Sequence, residues 1–97
     1  MTGAIDDLNK SIDANSKYAP AYMNRGVTRA AMKNVDLAIE DFTKAILLDP
    51  LYADAFRNRG ITYKFTGNIQ GACRDWKKAS QLGETSTNNW INRHCKP

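Results

Sequence analysis

The chain has 97 residues, 42% hydrophobic and 25% charged, with a formal net charge of +4. That size suits one small domain spanning 1–97 and leaves no room for a second, while the apolar fraction is too high for a disordered chain. No apolar run approaches the roughly 20 residues of a bilayer crossing, and Met1-Thr2-Gly3-Ala4-Ile5-Asp6-Asp7 lacks the basic-then-apolar plan of a signal peptide, so the chain reads as soluble with no membrane partner.

The apolar residues recur three or four positions apart and nowhere alternate strictly, which predicts helices throughout. Ile5, Leu8 and Ile12 make the first stripe, followed by Tyr22, Gly26, Val27 and Ala30, and then by Leu37, Ala38, Ile39, Phe42, Ala45 and Ile46. A fourth stripe holds Phe56, Gly60, Ile61 and Tyr63, a fifth Ala72, Cys73, Trp76 and Ala79, and a sixth Trp90 and Ile91. Between them, Lys33-Asn34 and Gly67-Asn68 tolerate the left-handed backbone that ends a helix. Asp49-Pro50 ends the third, because the residue before proline is pushed out of helical geometry. Gly83 ends the fifth. Connections this short make neighbours antiparallel, so about six helices should form a succession of hairpins.

One unit is written roughly two and a half times at a spacing of 34 residues, in Asn24, Asn58 and Asn92, in Arg25, Arg59 and Arg93, in Asp7, Asp41 and Asp75, and in Tyr22, Phe56 and Trp90. Such a period marks stacked repeats, whose extended surface suits binding more than catalysis. Glycine inside a helix costs about 1 kcal/mol against alanine, so Gly26 and Gly60 predict a close approach of another backbone, with Ala38 and Ala72 as the matching small surface. Tyr22, Phe56 and Trp90, with Phe42 and Trp76, are then expected to fill the space between hairpins, Trp90 acting as a lid.

These residues resemble the tetratricopeptide repeat, a helix-turn-helix with the pattern W-x2-L-G-x2-Y, A-x3-F, P. Tyr22-x2-Arg25-Gly26-x2-Arg29, Ala38-x3-Phe42 and Pro50 follow it. So do Phe56-x2-Arg59-Gly60-x2-Tyr63 and Ala72-x3-Trp76, with Glu84 in place of proline. The resemblance implies an all-α fold, antiparallel hairpins stacked as a short right-handed solenoid. Residues 3–15 would be the second helix of an incomplete repeat, 19–52 and 53–86 full repeats, and 87–97 a truncated capping helix.

The resemblance also implies a concave wall built by the first helix of each unit. Carried over by position, it consists of Met23, Asn24, Val27 and Ala31, then Arg57, Asn58, Ile61, Lys64 and Phe65, and finally Asn92. Side-chain amides can hold an extended peptide backbone, and Arg57 with Lys64 favour an acidic side chain or a terminal carboxylate. Alternatively, Asn24 and Asn58 only satisfy neighbouring backbone groups. Relatives that clamp acidic chaperone tails use lysine and asparagine where this chain has Met23 and Val27, so a full clamp is not expected.

Arg25, Arg59 and Arg93 replace the family's usual leucine, in the same phase as Asp7, Asp41 and Asp75. Either they form a ladder of ion pairs, or they point outward to meet a partner's carboxylates. Cys73 and Cys95 each lie eleven residues from Glu84, opposite one another in an antiparallel hairpin. They are either a disulfide of an oxidising compartment, periplasmic or secreted, or two half-buried thiols of a cytoplasmic protein.

His94 and the cysteines do not make a zinc set, and no nucleophile with a base or phosphate-cradling loop appears, so no metal, cofactor or catalytic activity is expected. The leading expectation is a protein-interaction module. A second is a scaffold that self-associates through an exposed Ile5, Leu8 and Ile12 strip on an unpaired first helix. The third, least supported, is nucleic-acid binding by the C-terminal half: residues 50 to 97 hold eight Lys/Arg against three Asp/Glu, residues 1 to 49 six against seven, but the cations are scattered.

Overall fold

A computed structural model describes residues 2 to 95; the side chain of Thr2, together with Met1, Lys96 and Pro97, lies outside the described set. Lys96, one of the eight cations of the C-terminal half, thus lies outside the described residues. Six α-helices occupy the described residues: α1 (Thr2–Ala14), α2 (Ala19–Ala31), α3 (Val35–Leu48), α4 (Ala53–Phe65), α5 (Ile69–Gln81) and α6 (Asn88–His94), with a single 3-10 turn at Thr85–Thr87 before α6. The chain divides into two compact units, residues 1–50 with α1 to α3 and residues 51–97 with α4 to α6.

The helix ends follow from local chemistry. Pro20 stands in the first turn of α2, where its missing N–H costs nothing. At the end of α2 the Lys33 N–H reaches the Ala30 carbonyl at 3.0 Å and the Asn34 N–H reaches that of Arg29 at 2.8 Å, with Lys33 at φ 67°. Gly67 and Asn68 repeat this closure on Lys64 and Tyr63, and Gly83 and Glu84 on Ser80 and Ala79, with φ of 85° and 103° at the two glycines. All three are left-handed caps that satisfy the last carbonyls of a helix. Asp49 is extended ahead of Pro50 and stops α3. Asn68 caps α5 by accepting from the Gly71 N–H at 2.9 Å.

In the first unit α2 and α3 pack as an antiparallel hairpin and α1 lies against α2. Tyr22, Ala38, Phe42 and Ala45 are buried there, and the Tyr22 hydroxyl donates to the Ser16 carbonyl at 3.0 Å. The apolar strip of α1 is not open: Ile12 is buried at 8% exposure, while Ile5 and Leu8 are half-buried. The first helix is thus paired with α2, which corrects the expectation of an unpaired helix with a bare strip.

In the second unit α4 and α5 form the equivalent hairpin around Ala55, Phe56, Ala72, Trp76 and Ala79, and α6 packs on α5. Thr87 is completely buried, its hydroxyl 3.0 Å from the carbonyl oxygens of Trp76 and Glu84, which ties the turn before α6 to α5. Trp90 is half-buried with its ring 5.4 Å from that of Trp76.

The glycines meet rings more than backbone. A Cβ on Gly26 would lie 2.6 Å from Phe42 Cε1, and one on Gly60 would lie 2.6 Å from Trp76 Cδ1 and Nε1, with the Ala72 carbonyl oxygen at 3.1 Å. Phe42 and Trp76 therefore pack against the glycine of their own hairpins, and Trp76 also reaches Trp90 of α6. The missing side chain makes room for an aromatic.

Candidate functional site

Each hairpin is pinned by a buried aspartate. Asp41 on α3 is 3% exposed and receives two hydrogen bonds from Arg25 on α2, Nη2 to Oδ1 at 2.8 Å and Nε to Oδ2 at 3.0 Å, plus one from Arg29 Nη1 at 3.0 Å. Arg25 Nη1 also donates to Asn9 Oδ1 on α1 at 3.0 Å. This one guanidinium thus joins residues 16 positions before and after it and holds all three helices of the unit. In the second unit Asp75, 4% exposed, receives Nε and Nη2 of Arg59 at 2.8 Å each. Such two-pronged guanidinium–carboxylate pairs are the strong form of the contact. They hold the arginine pKa above its ordinary value at both Arg25 and Arg59, against the opposing effect of burial. Asp7 and Arg93 are exposed. Neither takes part in such a pair among the described residues.

Asn9 and Thr87 are not marked by the sequence pattern, and Arg29 enters it only as a repeat position, without the ion pair. The 16-residue offset that relates Arg25 to Asp41 also reaches Asn9, and it was legible once the first pair was known. Nothing in the repeat marks Thr87, which lies in the short segment where the 34-residue pattern loses its proline. There the Ser86 hydroxyl, at 2.6 Å, and its N–H hold the Glu84 carboxylate below the usual carboxylate range.

The expected wall residues fall on one side of their helices. On α2, Met23 is half-buried and Asn24, Val27 and Ala31 are exposed, while Ala19, Ala21, Tyr22 and Gly26 turn inward. On α4, Arg57, Asn58 and Ile61 are half-buried, Lys64 is exposed, and Phe65 is 81% exposed, opposite the buried Ala55, Phe56, Gly60 and Thr62. Asn92 on α6 is exposed. Arg57 approaches Asp54 at 3.9 Å, a weak exposed contact.

Cys73 on α5 and Cys95, immediately after α6, are joined by a disulfide with their Cα atoms 5.6 Å apart. A cavity of about 270 Å³ opens beside this bond, bordered by Arg74, Lys77 and His94. Among the described residues no group of three His, Cys, Asp or Glu is placed to hold a metal, and no helix is long and apolar enough to cross a membrane.

A sequence profile of the tetratricopeptide repeat matches residues 19–52. Among solved structures, the chain is similar to MamA at 32% identity and a TM-score of 0.79, over 87% of this chain and 49% of that one, so it spans about half the length of MamA. The second TPR of Spaghetti (RPAP3), solved with an HSP90 peptide, is 31% identical over 80% of this chain and 72% of that one, with a TM-score of 0.78. The second TPR domain of human RPAP3, solved with an HSP70 peptide, is 27% identical over 96% and 79%, with a TM-score of 0.85. No curated protein matches the chain by sequence. With the repeat profile on its first full unit and a relative 31% identical over most of both chains, this chain belongs to the tetratricopeptide repeat family.

Proposed function

We propose that the chain is a non-catalytic interaction module that holds an extended peptide of a partner protein, one carrying an acidic side chain or a free C-terminal carboxylate. The observation that carries this is the outward side of α4. Asn58, Ile61, Lys64 and Phe65 lie on the face away from the hairpin interior, and the largest apolar side chain of that face is 81% exposed. An exposed aromatic beside an amide and a lysine offers an anchor, a backbone clasp and a charge partner within two helical turns. The peptides in the RPAP3 complexes, SRMEEVD and SGPTIEEVD, both end in the acidic sequence EEVD, which supports a ligand of this chemistry. Met23 and Val27 in place of lysine and asparagine favour a tail more apolar than those.

Titrating fluorescent peptides with free or amidated C-termini, read by anisotropy, tests the proposal. Binding in the micromolar range is expected, because a short array buries little surface. Amidation, Lys64→Ala and Phe65→Ala should each weaken it. If no peptide in a broad panel binds, or if these substitutions are silent, the proposal fails. A steep loss of affinity with salt for an oligonucleotide, with no peptide binding, would replace it by the nucleic-acid reading.

A further inference from the structure

The second unit carries a concentration of charge that its fold does not use. Arg25, Arg29, Arg57 and Arg59 all face carboxylates. Arg74 and Lys77 are exposed and make no ion pair among the described residues, and the aspartate between them, Asp75, is buried against Arg59. Both cations border the cavity that the Cys73–Cys95 bond also lines, together with Ile69, Gln70 and His94, and the described residues of the lining include no carboxylate. Lys77 stands four residues after Cys73 and so shares its face of α5. Neither cysteine is buried.

We propose that this cavity is a thiol–disulfide exchange site for a small thiol that bears carboxylates. Disulfides are opened by thiolates, and attack is fastest where the departing sulfur is stabilised as an anion and the approach is electropositive. The carboxylates of the incoming thiol sit against Arg74 and Lys77, and its thiolate attacks Sγ of Cys95. The new bond is a mixed disulfide at Cys95. The bond broken is Cys73–Cys95, and Cys73 leaves as a thiolate beside the two cations of its own helix. A second thiolate attacks the mixed disulfide and releases Cys95. The balance is two small thiols oxidised to one disulfide, the protein disulfide reduced by two electrons, and the two thiol protons passed to the cysteines. The exchange acts on the seat of α6, a seven-residue helix with no buried residue of its own that is also held by the Trp76–Trp90 and Trp76–His94 ring contacts, by the hydrogen bond from Ser80 to Asn88 and by Thr87. This assignment is independent of the peptide reading, since none of its residues belongs to the outward side of α4.

The oxidised full chain, treated with mercaptopropionate, mercaptoethanol or cysteamine, decides the matter. Opening is followed by mass spectrometry and rates are divided by thiolate concentration. The anionic thiol is expected to react about tenfold faster than the cationic one, a preference that shrinks as salt is added. Arg74→Glu with Lys77→Glu should reverse the order, and Arg74→Gln with Lys77→Gln should abolish it. Both side chains are exposed, so circular dichroism should be unchanged. Lys10→Glu with Lys44→Glu makes the same change in net charge on exposed residues that do not border the cavity, and should leave the preference intact. Equal normalised rates for the three thiols, a preference that survives the Arg74 and Lys77 changes, or one lost equally in the Lys10 and Lys44 control would each overturn the proposal.

Discussion

The α2–α3 and α4–α5 hairpins repeat the same ion pair but surround it differently. In the first, Asp41 takes Arg25 and also Arg29, and Arg25 reaches on to Asn9 of α1. In the second, Tyr63 stands where Arg29 does one period earlier, and the Arg59 guanidinium lies 5.7 Å from the ring centres of both Phe56 and Tyr63. A second charge backs the pair in one hairpin and a second aromatic in the other. The constant requirement is a carboxylate that can enter the interior only with its charge answered, and more than one neighbour can meet it.

Breaking the pair should have the largest effect. Asp75→Ala leaves Arg59 without its counter-charge and is expected to cost about 3–5 kcal/mol in urea unfolding, and Asp41→Ala, which strands two guanidinium groups, at least as much. Replacing Arg59 and Asp75 together by leucine should cost far less, because apolar residues of similar size can replace a buried pair. If the double variant is as unstable as Asp75→Ala, the charge accounting is wrong. The pH dependence has a definite sign. The arginine pKa values are raised in the folded state, so their contribution is complete below the ordinary arginine value and is lost only as pH climbs through the raised one. Stability from these pairs should therefore persist through neutral and moderately alkaline pH.

The two units also differ in how their outer helices are held. α1 is attached by packing and by the Asn9 contact, whereas α6 is bonded to α5 across a separation of 22 residues. Reduction, or Cys73→Ser with Cys95→Ser, should cost about 3 kcal/mol by freeing the unfolded chain. Hydrogen exchange should then rise first in α6, while amides of α2 and α3 keep their protection. Uniform loss of protection would show the disulfide to matter for the whole chain instead of its cap.

The glycines sharpen the comparison at a smaller scale. A methyl group at Gly26 meets only atoms of the Phe42 side chain among its nearest neighbours, but at Gly60 it meets Trp76 and also the fixed Ala72 carbonyl at 3.1 Å. Overpacking costs about 1–3 kcal/mol, against a gain of about 1 kcal/mol in helix propensity. Gly60→Ala should therefore destabilise by about 1–2 kcal/mol and Gly26→Ala by less, both by thermal unfolding.

Much of this was legible in the sequence because the period repeats local rules. Turn residues at Lys33, Gly67 and Gly83, the helical stripes and the antiparallel sense all follow from short-range chemistry, and Arg25 and Asp41 could be matched because their recurrence put them in phase. The contact of Phe42 with Gly26 and of Trp76 with Gly60 was not legible, since the A-x3-F pattern puts an aromatic on the second helix without saying which residue of the first it touches. The covering of α1 was not legible because it comes from packing against α2, a separate helix whose approach no local pattern states. For the wall residues, the sequence gives their side of each helix, whereas what they bind depends on chemistry contributed by a partner.

The smallest expected effect isolates backbone conformation from packing. Lys33 and Gly67 occupy the same place in the two repeats, and both have positive φ, at 67° and 85°. A side chain there is strained whatever its surroundings, and a Cβ on Gly67 would meet nothing within 4 Å. The cost of Gly67→Ala, about 1 kcal/mol, should then come from the backbone alone. Lys33→Gly should stabilise by somewhat less, because glycine relieves the strain while adding entropy to the unfolded chain. Measured side by side in urea, the two changes should have opposite signs. Equal signs would mean that the Lys33 side chain makes a compensating contact, and the left-handed cap would no longer distinguish the first repeat from the second.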